Sequence, residues 1–369
     1  MWRLPDTAAR RFPLVARPRP ACLPLHQRIQ ALTRLADVAA ERGDPSIAST
    51  VLNRAALIAS DIGDDTAAGA MCHQHAAAYL HAAPLPADAA IRALEPVVNL
   101  ARLQLRADRA DQGRQYLLTL FDAVARAAPA DIEGIAVPAD LVADTTDRHP
   151  VRAWLWAVLL ADGTRALTTV GRWTEALTHV QTHHGVGQRM LDGRQVAVLA
   201  ALTGGDSLRA SALLAETTSE EPWEEAVVGC LALLCRRVSG QPWRRALQDR
   251  AATYLGRPAE DGTAVFDTRL GLVLLDVAAS DSGPIARRLV TELHRRTMKA
   301  ADGYAAREAL AHPLFITLAT DRQVRDCRAL VHACSLGSGT FPTGLDGRLW
   351  AALHSSDHVI RRSVGRQVS

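Results

Sequence analysis

The sequence predicts an all-α fold, and three observations carry that prediction. The chain is 48% apolar but only 4% aromatic, and its apolar content is dominated by Ala and Leu. Those residues favour helix, whereas strands draw on Val, Ile, Thr and aromatics. Apolar residues also recur at three- and four-residue steps, the spacing of one helix face. Short Gly-, Asp- and Pro-containing turns interrupt these runs at regular intervals. At 369 residues, the chain is long enough for one long domain or two ordinary ones.

Residues 1–23 contain Pro5, Pro13, Pro18 and Pro20 and show no periodicity. They are expected to form a disordered Arg/Pro-rich arm. From residue 24 the pattern changes. Leu25, Ile29, Leu32, Leu35 and Ala39 make one face of a helix that opens an N-terminal helical block, 24–128. Gly43-Asp44-Pro45 breaks it, with Asp44 suited to cap the next helix and Pro45 to its first position. That second helix presents Ile47, Val51, Leu52, Ala55 and Ile58. It ends at Asp61 and Gly63, and Asp64 or Asp65 starts another. Pro96 is expected to interrupt a later helix. Residues 129–150 read as an irregular insert.

A C-terminal helical block, 151–356, follows. "VRAWLWAVLLADGTRALTTVGRWTEALTHVQTHH" is helix, Val-Gly-Arg turn, helix. Further hairpins turn at Gly204-Gly205-Asp206, at Ser239-Gly240-Gln241-Pro242, at Ser282-Gly283-Pro284 and at Thr320-Asp321. No segment shows the strict alternation of a half-exposed strand. Residues 357–369 read as a basic, poorly ordered tail.

The turn glycines Gly171 and Gly205 lie 34 residues apart, and Gly205 and Gly240 lie 35 apart. A fixed period in that range marks stacked helical hairpins, which bury a continuous core only by stacking. After the turn comes a small residue, a large apolar one four on, and a third position three further: Ala48, Leu52 and Ala55; Ala210, Leu214 and Thr217; Ala176, Val180 and His183. In this the chain resembles the tetratricopeptide repeat family, in degenerate form. The resemblance is clearest over 24–64 and 151–218 and looser over 65–128 and 222–336. It implies an α-solenoid of antiparallel helical hairpins wound into a right-handed superhelix, with the first helix of each hairpin lining a groove. By that resemblance the groove candidates are Thr33, Asp37, Arg165, Thr168, Asp192 and Gln195. The Lys/Arg and Asn clamp with which some members hold a peptide C-terminus is not reproduced, since Asp37 stands where a basic or neutral residue would serve.

Net charge is +3, unevenly spread. Residues 1–20 carry +4 and residues 358–369 carry +3, leaving −4 for the body. A duplex-binding domain shows a basic folded body instead, so no nucleic-acid partner is expected. The six cysteines form no C-x-x-C pair and read as small buried side chains in a reducing cytosol. The first twenty residues, with Arg and Pro throughout, do not read as a secretory signal. "WLWAVLLA" and "VVGCLALLC" are far shorter than the roughly 20 apolar residues of a spanning helix. A cytoplasmic protein without a membrane partner is the expectation.

Motifs of chemistry are absent: no H-E-x-x-H, no Walker A loop and no G-x-S-x-G elbow. "GVGQRM" at Gly185 lacks a preceding strand, and "LGSGTFPTG" (336–344) reads as a connector. His179 and His183 stand at i, i+4, a spacing that presents two imidazoles to one metal. They are weak candidates, with Glu175 and Asp192 the nearest carboxylates. No catalytic residue and no cofactor is assigned. The expected function is a non-catalytic protein- or peptide-binding scaffold or regulatory module. The alternatives are a signal-responsive regulator holding a small molecule or peptide within the superhelix, and a metal-dependent enzyme on an α/α scaffold.

Overall fold

The computed structural model describes residues 2–278, 283–340 and 346–368. Ser282 of the expected Ser-Gly-Pro turn lies outside the described residues, as do 341–345 of the Gly-rich connector. Among the described residues the protein is helical apart from one small hairpin of strands and an isolated bridge between Arg189 and Thr218. In chain order, α1 (Asp6–Ala9) is followed by α2 (Leu25–Arg42), α3 (Pro45–Ile62), α4 (Asp65–Leu80), α5 (Ala87–Arg106) and α6 (Ala110–Arg126). Strands β1 (Ala130–Ile132) and β2 (Ile135–Val137) precede α7 (Thr145–Val158), a π-helical turn (Leu159–Gly163) and α8 (Thr164–Thr168). Next come α9 (Trp173–Thr182), α10 (Asp192–Thr203), α11 (Ser207–Ala215), α12 (Pro222–Val238), α13 (Arg244–Gly256), α14 (Ala264–Ala278) and α15 (Pro284–Ala300). The last four are α16 (Gly303–Leu310), α17 (Pro313–Leu318), α18 (Asp321–Ala333) and α19 (Asp346–Val368).

These elements form two compact units that are discontinuous in sequence. One comprises Leu25–Ala166 and Ser335–Ser369, the other Met1–Pro24 and Leu167–Cys334. The expected division into blocks 24–128 and 151–356 is therefore corrected. The chain changes unit inside α8, within a helical run where composition does not change, and each chain end belongs with the other end's block.

In the first unit, local signals act as expected. The Asp44 carboxylate accepts from Ser46 N at 2.8 Å and Ile47 N at 3.3 Å, with Pro45 at the first position of α3. Gly63, at φ +97°, ends that helix in the left-handed region where a Cβ is disfavoured. Asp64 then caps α4. Helices α2 to α6 pack in succession around Ile29, Leu32, Leu52, Ile58, Met71 and Leu94. Pro96 does not interrupt its helix: α5 runs through it, forgoing the one hydrogen bond that proline removes.

Two further expectations are corrected here. The insert 129–150 is not irregular. It holds an antiparallel ladder pairing Ala130 with Val137 and Ile132 with Ile135, turned by Glu133 and Gly134, both at positive φ. The tail is not disordered either, because α19 continues to Val368 and packs against α2, α3 and α4. Leu349, Ala352, Leu353, Ile360 and Val364 bury one stripe of it in the same core. The connector before α19 is pinned by Gly337 N and Gly339 N, which donate to Asp61 O and Ile62 O, each at 2.8 Å.

In the second unit, the turn glycines Gly171, Gly205 and Gly240 all have positive φ (78°, 85° and 72°), as the ends of the preceding helices require. Gly205 and Gly240 turn the hairpins α10–α11 and α12–α13, while α14 and α15 pair as a further hairpin outside that period. Their first helices pack side by side, α10 on α12, α12 on α14 and α14 on α16. The second helices form another layer, α13 on α15 and α15 on α18. Among the described residues, no helix is long and apolar enough to cross a membrane.

Candidate functional site

The expectation that residues 1–23 are a free arm is overturned by their burial. Ala8, Ala9, Phe12, Leu14 and Cys22 are buried, and the segment runs across the layer made by α10, α12, α14 and α16. Beyond the single turn of α1, four prolines keep it from forming regular structure, so its backbone groups seek partners on that face.

The central attachment is Gln195, in the first turn of α10 and 0% exposed. Its Oε1 accepts from Leu14 N at 2.7 Å, and its Nε2 donates to Leu14 O at 2.7 Å and to Met190 O at 3.1 Å. One carboxamide thus satisfies both main-chain groups of one residue that lies outside regular secondary structure. The helix start is shaped for this by Gly193, where a Cβ would lie 2.1 Å from Gly185 O. Its absence lets the "GVGQRM" loop close over α10 and present the Met190 carbonyl.

Ion pairs flank the clasp. Arg17 reaches Asp192 at 2.6 Å on the solvent side. Arg11 Nε meets Asp276 Oδ2 at 3.2 Å, both side chains largely buried. His312 lies on the other oxygen, Nε2 to Oδ1 at 3.0 Å. The His312 Nδ1 accepts from Phe315 N at 3.4 Å to cap α17. With Nδ1 accepting, Nε2 is the ring nitrogen that donates to Asp276.

Both ends of the arm are anchored as well. Trp2 and Trp243 lie against the Arg237 guanidinium, with centroids 4.7 and 4.1 Å away. Arg19 N donates to Gly262 O at 3.2 Å, and its guanidinium sits 5.1 Å from the Tyr304 ring centroid. Cys22 O accepts from Gly303 N at 2.8 Å. Gly262 has φ +81°, and a Cβ there would lie 3.1–3.2 Å from the Pro18–Arg19 backbone. Glycine is needed both for its conformation and for the closeness of the arm.

The six predicted groove residues do not line one site. Asp192 and Gln195 come together, under the arm. Thr168 is buried rather than on a solvated face, and Arg165 is exposed on the same short helix. Thr33 and Asp37 belong to α2 of the other unit, where the Thr33 hydroxyl donates to Ile29 O and Gln30 O, each at 3.0 Å. Asp37 is exposed. The sequence reading missed Asp276, Gly262, Tyr304, His312 and the arm itself. The available signal was the arm's excess of Arg interleaved with Phe12 and Leu14, which a purely solvated tail does not need.

His179 and His183 stack edge to face with centroids 4.8 Å apart. Glu175 is paired with Arg172 and Asp192 with Arg17. Among the described residues, no group of three or more His, Cys, Asp or Glu is arranged to hold a metal ion. The six cysteines are buried. Burial pushes Cys230 up to about 12, and Cys235 and Cys327 up to about 11, which holds these thiols in their weakly nucleophilic form. No family model, curated protein or solved structure matches the chain.

Proposed function

We propose that the chain is a non-catalytic binding module of the tetratricopeptide-like solenoid type, whose first-helix layer in the second unit takes an extended segment of a protein partner. The single observation that carries this reading is the Gln195 carboxamide, which holds both main-chain groups of Leu14 at 2.7 Å. A polar side chain sunk in a helix layer and spent on another segment's backbone recognises polypeptide conformation independently of sequence. The carboxylates of Asp192 and Asp276 add a preference for cationic side chains on either side. A cytoplasmic setting belongs to the same proposal, supported by six buried thiols with no disulfide between them. So does a protein partner rather than nucleic acid or membrane.

The test is site-specific photocrosslinking in an extract of the source cells, using the full chain. A photoreactive residue replaces Leu191, half-exposed beside Asp192, or Leu208, which is 85% exposed on α11 away from the first-helix layer. Adducts to another protein at 191 but not at 208, abolished by Asp192→Arg, support the reading. Adducts at 208 alone, or at both positions equally, refute it.

A further inference from the structure

We infer that residues 2–22 are a built-in, exchangeable occupant of this binding face, so that the chain is closed to an external peptide until its own arm is displaced. The external ligand is an extended segment of the same chemistry: an apolar residue with free N–H and C=O at the Leu14 place, an aromatic two residues before it, and Arg three before and three after. The inference rests on the peptide-binding reading above and specifies its ligand and regulation.

Four observations carry it. The arm holds the face by contacts of the kind a bound peptide makes. Its main chain meets the face at Leu14, Arg19 and Cys22, through Gln195, Gly262 O and Gly303 N. Between Leu14 and Cys22, residues Arg17, Pro18, Arg19 and Pro20 stand exposed, so that stretch lies on the layer. The arm makes no helix–helix packing beyond the single turn of α1, and its prolines exclude a strand ladder. Lastly, its charge complements the face: Arg11 and Arg17 meet Asp276 and Asp192, and Asp302 sits within electrostatic reach of Arg19.

Displacement has a definite energetic form. The arm is tethered directly to α2, so its effective concentration at the face is of order ~1 mM, as for a short linker. An external peptide with an intrinsic Kd of ~10 μM would bind the intact chain about 100-fold more weakly than a chain whose arm is untethered. A partner overcomes that factor by adding contacts beyond the arm's own.

The experiment keeps the whole chain. A protease site is inserted between Leu23 and Pro24, and the folded protein is cut after purification, leaving both pieces present. A fluorescent synthetic peptide of residues 2–20 is then titrated by anisotropy against cut and uncut protein. The expected result is saturable binding to the cut form, at least 10-fold weaker binding to the uncut form, and a loss of at least 10-fold on N-methylating the peptide at the Leu14 position. Equal affinity for both forms, or indifference to that N-methyl group, overturns the inference. If cutting unfolds the second unit, hydrogen exchange on the uncut chain decides. Exchange at Leu14 by an opening that leaves the α14 amides protected supports an exchangeable arm. Exchange at Leu14 only together with α14 shows the arm to be an inseparable part of the core, and overturns it. Equal peptide affinity for cut and uncut protein, with a partner crosslinked at position 191, overturns the arm's role and leaves the binding reading standing, so the two failures are distinguishable.

Discussion

Replacing Gln195 by leucine tests the clasp directly. The substitution keeps the side-chain volume close to native, so the dominant effect is the loss of three hydrogen bonds, at 2.7, 2.7 and 3.1 Å. Each buried group left without a partner costs about 1–3 kcal/mol. Met190 O stays buried in either arm position, so its loss does not distinguish docked from undocked. The Leu14 N–H and C=O recover water once the arm lifts, so their combined cost, about 2–6 kcal/mol, falls on the docked state alone. Taking ~3 kcal/mol, and ~1.4 kcal/mol per factor of ten, arm docking weakens about 100-fold. Hydrogen exchange read by mass spectrometry reports this segment by segment. The expected outcome is about 100-fold faster exchange over residues 14–17 with α14, at Leu272 to Leu275, unchanged. Acceleration below 3-fold over the arm, or equal acceleration in α14, would refute the reasoning.

Arg11→Ala strips a largely buried partner from Asp276 and should destabilise by about 3 kcal/mol. Arg17→Ala breaks a pair whose Arg is 59% exposed and should cost under about 1 kcal/mol; urea midpoints that rank the two variants the other way would contradict the assignment. Gly262→Ala places a Cβ at φ +81° and against the Pro18–Arg19 backbone. It should cost about 1–2 kcal/mol for conformation alone, lowering Tm by several degrees in a thermal melt. His75, on α4, is buried, and neither ring nitrogen has a hydrogen-bond partner among the described residues. Burial pushes its pKa down to about 3. Between the unfolded value near 6.5 and that folded value, the unfolded chain binds the proton and the folded chain does not, so stability is present above about pH 6.5 and falls on acidification, by up to about 1.4 kcal/mol per pH unit. His75→Leu should flatten the urea midpoint between pH 7 and 4.5, whereas a profile parallel to wild type would show that His75 is not responsible.

The parts of the fold that were legible are those whose cause is local. Asp44-Pro45, Asp64 and Asp206 cap helices because a carboxylate two or three residues before orphan amides needs nothing from elsewhere in the chain. Gly171, Gly205 and Gly240 end helices because only glycine enters the left-handed region without strain. The strand pair was overlooked because three residues per strand are too few to establish alternation, although Glu133-Gly134 between Ile132 and Ile135 carried a turn signal. In the tail, the charge of Arg361 and Arg362 drew the reading. The stripe of Leu349, Leu353, Ile360 and Val364 beneath them was the better guide, since a helix is held by the face it buries.

By itself, then, the sequence determined the helical class and several of the turns between helices, because these follow from side-chain entropy, capping and turn geometry within a few residues. Only the tertiary structure decided which chain end joins which unit, and that Asp192 and Gln195 face the chain's own arm. Leu14 and Gln195 are 181 residues apart. No local pattern encodes that pairing, because it arises only when a buried carboxamide and an extended backbone, each costly to leave unsatisfied, are brought together by the packing of the layer between them.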